Sequence, residues 1–564
     1  MKKFRWQLII ILVTGLIVGI LLLVQQGNPL IESDNTPQPL SGGVYTEGLV
    51  GEFQRLNPFL DIYNQVDRDI DRLIFNGLIK FDLSGTAQPD LAETWGISQD
   101  GTLYNFSLRS DLYWHDGQPL TTQDVAYTVN LLKSESGLIP FDLQKFWSEI
   151  AVNVLSESLI QFALPEAFSP FLDYLSFGIL PEHLLGNVSL DDMIDNPFNL
   201  APIGSGPYKF DRLLIANKQI VGVVLISNET YYDGQPYLNE IVFRYYPTSQ
   251  ILWQAYKDGE VEGLASISTD TLQPVLTEPN LNIYSATQPI ITMVYLNLNN
   301  PEVGFFQDSG FRRALLMTID RQRIINNIYS GQAVLANGPI LSGNWAYYEE
   351  IEQIEYSPER AIQEFSRLGI TMNEDEDKLE TEDNQIVKFS LICPDSQIHQ
   401  DIAERLVSDW AQVGVEVEIV IKPYSEVIAA LEARDYQAAL VDINLSDSPD
   451  PDPYPFWGQA QIQGGQNYAQ WNDRSASEFL EQARISLNYD DRIRLYRNFQ
   501  VLFQQELPSL PLISPIYNYA VSSKINGVNI GPFYDESDRF FTVNSWYILV
   551  ENTSKDAVES TPIN

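Results

Sequence analysis

Pro89-Asp90-Leu91-Ala92-Glu93-Thr94-Trp95 opens the most informative stretch of the chain. After Ser98 it continues as Asp100-Gly101-Thr102-Leu103-Tyr104-Asn105-Phe106-Ser107-Leu108-Arg109. It ends in Trp114-His115-Asp116-Gly117-Gln118-Pro119-Leu120-Thr121, followed by Asp124-Val125. Leu103, Phe106 and Leu108 predict a half-buried strand, entered through a turn at Asp100-Gly101. Thr121 with Asp124 three residues on predicts a helix N-terminus, with Val125, Val129 and Leu132 as the apolar face behind it. These features specify a strand, a turn and a capped helix, and none of them is a chemistry.

Composition narrows the function classes. The chain has 564 residues, too many for one ordinary core, and 44% of them are apolar, as in a packed globular protein. A formal charge of −41 excludes nucleic acid as a natural partner, because the phosphates would be repelled. The single cysteine, Cys393, can form no internal disulfide and sits in an apolar run. The three histidines, His115, His183 and His399, are scattered, and no H-x-x-x-H or Cys/His cluster offers a zinc site. There is no G-x-S-x-G elbow either. Among 75 carboxylates chance pairs are expected, so an acid pair carries no glycosidase argument. The acidic run over 373–384 lacks the glycine that a calcium loop needs and reads as a solvated loop. An enzyme, a metal site and a cofactor are therefore not expected.

The N-terminus sets the compartment. Lys2, Lys3 and Arg5 precede an apolar run over 8–24, near the lower limit for crossing a bilayer. The basic flank keeps its end in the cytoplasm and puts the body outside. No cysteine or clean small-x-small site follows, so an uncleaved anchor over 1–25 and a polar tether over 26–42 are expected.

Several further motifs follow in order. They are Leu56-Asn57-Pro58, Phe75-Asn76-Gly77-Leu78, Gly204-Ser205-Gly206-Pro207-Tyr208, Asn228-Glu229 with Tyr231-Tyr232, and Phe311-Arg312-Arg313-Ala314-Leu315 with Ile319-Asp320-Arg321. The glycine loop is not a phosphate cradle, since no lysine-serine pair follows it. Ser357-Pro358-Glu359 predicts a helix start and Gly369 its end. Strands over 387–393, 415–421 and 438–444, with helices over 398–413 and 425–434, predict an α/β lobe with a mostly parallel sheet.

Together, and in this order, these motifs resemble the extracytoplasmic solute-binding proteins of the peptide/nickel class, which feed ABC importers. The resemblance covers about residues 43–550. It implies an α/β, two-lobed periplasmic-binding-protein-like fold of the large type, with an extra subdomain and a hinge. The segments expected are 43–83 in the first lobe, 84–199 as the extra subdomain, and 200–288 in the first lobe again. The second lobe then takes 289–508, the chain returns to the first lobe over 509–550, and 551–564 is a polar tail. The partners implied are a peptide or other small solute and a permease with its ATPase, with the binding protein a monomer. An oligosaccharide binder, or a sensor receptor without a transporter, would use the same scaffold.

For the ligand, the resemblance points to Asp447 in Asn444-Leu445-Ser446-Asp447-Ser448-Pro449-Asp450-Pro451-Asp452-Pro453. In peptide-binding relatives an aspartate here pairs with the ligand's α-ammonium, and the strand before it pairs with the ligand backbone. That implies main-chain roles for Ile443 and Leu445. Trp457, with Tyr454 and Phe456, is a candidate aromatic wall and equally a candidate for core packing. Asn64 and Gln65 are the candidates on the first-lobe side, although Tyr63-Asn64-Gln65 matches no family motif closely. Asp450 and Asp452 read as solvated turn acids.

Overall fold

The computed structural model describes residues 41–373, 377–446 and 448–549. The apolar run over 8–24, Asp447 and the tail over 551–564 lie outside the described residues. No helix among the described residues is long and apolar enough to cross a membrane.

Among the described residues two large apolar cores divide the molecule, with a small third cluster around Leu252, Val261 and Leu264. One gathers Tyr45, Leu73, Tyr104, Phe162, Phe243 and Trp546, from both ends of the chain. The other gathers Met293, Phe311, Leu391, Trp410, Leu440 and Trp457 from its middle. A 12-stranded sheet runs through both, and the strand Ser509–Ser522 joins them. Its first half pairs antiparallel with Ile290–Leu296 in the second lobe, and its second half with Leu281–Thr287 in the first. The expected return to the first lobe at 509 therefore falls inside a shared strand, near Pro515 and Ile516. There the Gln288 N–H also donates to the Pro515 carbonyl at 2.8 Å. The two crossings lie side by side, the arrangement expected of a hinge.

In the second lobe, Lys388–Pro394 is parallel to both Glu416–Lys422 and Ala438–Asn444. Helices Gln397–Ala411 and Tyr424–Ala433 make the crossovers. Ile290–Leu296, however, is antiparallel to Ala438–Asn444 and to the shared strand. The sheet is thus mixed rather than mostly parallel, because strands that enter and leave at the hinge need no helical crossover.

The extra subdomain is a four-stranded antiparallel sheet covered by the helix Thr122–Leu132. Within Leu103–Leu108 the buried face is Tyr104, Phe106 and Leu108, with Leu103 on the other side, as the two-residue period of a strand requires. The Asp124 carboxylate accepts the Thr121 N–H at 2.9 Å, closing the expected capping box. The glycine loop has a packing cause. A Cβ on Gly204 would stand 1.9 Å from the Ile74 carbonyl, and one on Gly206 would stand 2.3 Å from that of Leu73. Only glycine lets this loop close on the end of the helix Gln65–Ile74. The acidic run folds in part as a hairpin of Thr371–Asn373 with Lys378–Glu380.

Candidate functional site

Between the lobes lies a cavity of about 440 Å³. The first lobe lines it with the turn carrying Phe59, Asp61 and Ile62, with Arg68, Asp71 and Arg72 of the helix Gln65–Ile74, and with Trp147, Tyr174 and Phe177 of the subdomain. The C-terminal segment adds Tyr534, Asp535 and Asp538, and the second lobe adds Ser446, Ser448 and Pro449. Phe177 meets Phe59 and Trp147 edge-on at 6.2 and 5.8 Å between ring centres, giving one apolar wall.

The opposite wall is charged. Arg68 Nη1 lies 2.7 Å from Asp535 and its Nε lies 3.8 Å from Asp61, while Arg72 lies 3.4 Å from Asp538. The side chain of Asp71 has no hydrogen-bond partner on either oxygen. Burial pushes the Asp61 carboxyl upward against the pull of Arg68. Burial, with the charges of Asp61 and Asp67, raises Asp71 well above the carboxylate range. The sequence signal for this wall was the alternation Asp67-Arg68-Asp69, Asp71-Arg72 on an otherwise apolar helix. Sequence reading assigns such a face to solvent, whereas here Asp67, Asp69 and Asp71 are buried.

The loop over 446–452 is held from both sides. Asn344 Nδ2 and Trp345 Nε1 donate to the Pro449 carbonyl at 2.9 and 3.1 Å. Across the cleft, the Asp173 carboxylate accepts from the Ser448 hydroxyl at 3.2 Å and from the Asp450 N–H at 2.9 Å. Asp450 and Asp452 are not solvated acids. Asp450 is 6% exposed, paired with Arg492 and accepting the Tyr496 hydroxyl at 3.1 Å. Asp452 lies 3.1 Å from Arg484 Nε. Two arginines from distant helices neutralise what reads in sequence as a turn, which is why the turn could be buried.

The other sequence candidates have structural employment. Trp457 is 1% exposed in the second-lobe core, against Tyr295, Trp471 and Phe503, because its short helix turns the ring inward. It is core packing and not cleft wall. Asn64 Nδ2 donates to Asp67 at 2.6 Å and to the Glu52 carbonyl at 3.1 Å. Gln65 bridges Asp69 and Asp535 at 2.9 and 3.1 Å. Both steady the cavity wall from behind.

Ile443 pairs with Ile291, and the Leu445 N–H donates to the Pro289 carbonyl at 2.7 Å. Alternation along an antiparallel ladder turns the main-chain groups of Ile443 and Leu445 toward this neighbour and those of Asp442 and Asn444 the other way. On that other side Lys388–Pro394 pairs only with Ala438 and Ala439. Strand addition at this edge would therefore use Asp442 and Asn444, not Ile443 and Leu445.

Buried acids make stability depend on pH. Burial, opposed by three hydrogen-bond donors, pushes Asp67 up to about 6, and burial with Asp69 nearby pushes Glu536 up to about 7. Each then keeps its proton in the folded chain at a pH where the unfolded chain, near about 4, has lost it. The folded state binds more protons at these two acids, so the stability they contribute is fully present below about 4 and is lost as pH rises to about 7. The urea midpoint is expected to be higher at pH 5 than at pH 8. The difference should persist in high salt, which screens the surface charge but not these buried groups.

A family model for "Bacterial extracellular solute-binding proteins, family 5 Middle" matches residues 86–464. The oligopeptide-binding protein AppA of Bacillus subtilis is 24% identical over 525 residues, covering 91% of this chain and 92% of that protein. A dipeptide-binding protein of Escherichia coli is 22% identical over 486 residues, covering 81% and 87%. The solved structure of HbpA2 from Haemophilus parasuis superposes with a TM-score of 0.78 at 20% identity, covering 90% of this chain and 100% of that one. Its fold is the two-lobed clamp described above. With that match across most of its body, and with a cavity between its two lobes, this chain belongs to the bacterial extracellular solute-binding proteins of family 5.

Proposed function

We propose that this protein captures peptides outside the cytoplasmic membrane and hands them to the permease and ATPase of an ABC importer. One observation carries the reading. Ser446 and Ser448 both line the cavity, so the loop after Ala438–Asn444 faces the solute at the place where α/β sheets bind ligands. Asp447 stands between them in the chain, and its carboxylate is the anchor for the peptide's α-ammonium. The exposed main-chain edge at Asp442 and Asn444 takes the peptide backbone by strand addition. Relatives named as oligopeptide- and dipeptide-binding proteins support the choice of ligand class. Calorimetric titration with a length series of free-amine peptides and their N-acetylated forms tests it. Free-amine forms are expected to bind and acetylated forms to bind far more weakly. Equal binding of the two forms, or binding of oligosaccharides alone, rejects the reading.

The apolar run over 8–24 is retained as a single-pass anchor, which holds the body near its permease. Lys2, Lys3, Arg5 and the absence of a cysteine or clean cleavage site after Val24 support this. N-terminal sequencing of protein extracted from membranes is expected to begin at or next to Met1. A start at Gln25 or beyond rejects the anchor. A chain beginning at Gly42 is expected to stay in solution and to bind ligand as the whole protein does.

A further inference from the structure

Six carboxylates and two guanidinium groups line the cavity: Asp61, Asp71, Asp82, Asp173, Asp535 and Asp538 against Arg68 and Arg72. Most of the acids are accounted for. Arg68 holds Asp535 and Arg72 holds Asp538. Asp82 accepts from Ser84, Thr86 and Gln88 within its own turn. Asp173 accepts from Ser448 and Asp450 across the cleft. Asp71 is the exception. It is 2% exposed, lines the cavity, and receives no well-aligned hydrogen bond on either oxygen, with only the Asn57 N–H and the Asp61 carboxyl close by. The Asp61 carboxyl stands beside it, with Arg68 Nε as far away as 3.8 Å.

An unpaired buried carboxylate is expensive to keep, and folding alone gives no reason for a second one next to it. A cation arriving from the cavity would give both acids a partner. We propose that Asp61 and Asp71 form the floor of a subsite that takes a cationic side chain of the bound ligand, so that the protein selects peptides carrying lysine or arginine. This rests on the peptide reading above and adds a second recognition point, on the first lobe, to the main-chain anchor on the second.

The surroundings favour that cation. The charged groups facing the pair are Asp67 and Arg68 from the helix Gln65–Ile74 and Asp535 from the C-terminal segment, with the Asn57 amide nearby. Two acids against one already paired arginine leave the local balance negative. The Phe59, Trp147 and Phe177 wall suits the aliphatic stem of lysine or arginine, whose charged head then reaches the acids. Without ligand the two acids share a proton, since like charges this close do not both ionise. Entry of an ammonium lets that proton leave to solvent.

The test uses the whole protein and alanine-based peptides of graded length, with lysine, norleucine or glutamate at one position. Calorimetric titration is expected to give lysine peptides an advantage over norleucine peptides of about tenfold or more, the scale of one hydrogen bond to a charged group. Glutamate peptides should bind worst. Asp71→Asn and Asp61→Asn should each shrink the ratio of lysine-peptide to norleucine-peptide affinity, whatever each does to peptide binding as a whole, as for a contact only the cation makes. Titrations in buffers of different ionisation enthalpy should report proton release with lysine peptides and none with norleucine peptides. Thermal unfolding of ligand-free Asp71→Asn should stay close to wild type, because the amide N–H takes the place of the proton that the two acids share. Equal affinity for lysine and norleucine peptides in wild type, or a lysine advantage that survives both substitutions, overturns the subsite and leaves the peptide reading standing. If no peptide binds at all, both fall.

Discussion

Asp447→Asn is expected to weaken binding of free-amine peptides by about 30- to several thousand-fold, because truncating one partner of a buried charged pair costs about 2–5 kcal/mol. The substitution keeps the shape of the side chain and removes only the ionic half of the contact. The loss should appear mainly as faster release, as most affinity differences between variants of one site do. N-acetylated peptides lack the ammonium and should bind both proteins equally weakly. The melting temperature without ligand should barely move, because the loop is held by Asn344, Trp345 and Asp173 through groups other than Asp447. Asp452 is unsuitable as a control, since its ion pair with Arg484 ties the same loop. Asp383→Asn, exposed in the turn after Lys378–Glu380, is the charge-matched control and should cost nothing. If Asp447→Asn binds free-amine peptides as wild type does, the anchor lies elsewhere.

Arg539→Met is expected to destabilise the first lobe by about 3–5 kcal/mol, the usual cost of leaving buried charges without their partner. Arg539 is 0% exposed and grips two acids at once. Its Nε and Nη2 lie 2.8 and 2.7 Å from Glu47, and its Nη1 and Nη2 lie 2.8 and 2.6 Å from Asp69. Tyr45 and Tyr519 donate to the remaining Glu47 oxygen at 2.8 and 2.6 Å. The network ties the opening strand Val44–Val50, the cleft helix and the shared strand to the turn Glu536–Phe540. That turn belongs to the segment that carries Asp535 and Asp538 into the cavity. The variant should therefore lose ligand affinity as well as stability. Urea unfolding followed by tryptophan fluorescence measures the first effect, with Trp546 against Tyr45 and Tyr519 as the local reporter. Adding Glu47→Gln and Asp69→Asn should recover part of the stability, since the orphaned charges are then gone. A single variant that unfolds like wild type would show that the network contributes no net stability.

Many elements, and their order, were legible in the chain. Ala438–Asn444 was legible from a buried apolar run, and Ser357 with Pro358 marked a helix start that the structure keeps. Thr121 and Asp124 declared their capping box in four residues. Such features depend on neighbours in the chain, so the chain alone contains them. The family was legible for the same reason, since its motifs are strings of neighbours. Tertiary structure alone decided which polar residues are buried, and against what. Asp450 and Asp452 read as a solvated turn because Arg492 and Arg484 stand 42 and 32 residues away. Asn64 and Gln65 bond to Asp67 and Asp69 within their own helix turn, but the contact of Gln65 with Asp535 is 470 residues away in the chain and only folding makes it. Trp457 could have served wall or core, and only the direction of its short helix chose the core. Apolar periodicity carries no record of which partner each half of Ser509–Ser522 meets, so its pairing with Ile290–Leu296 and with Leu281–Thr287 belongs to the fold alone. The cleft's acidic floor was invisible for the same physical reason. A carboxylate's environment is set by charges brought close through folding, and the charged group brought to Asp71 is another acid, Asp61.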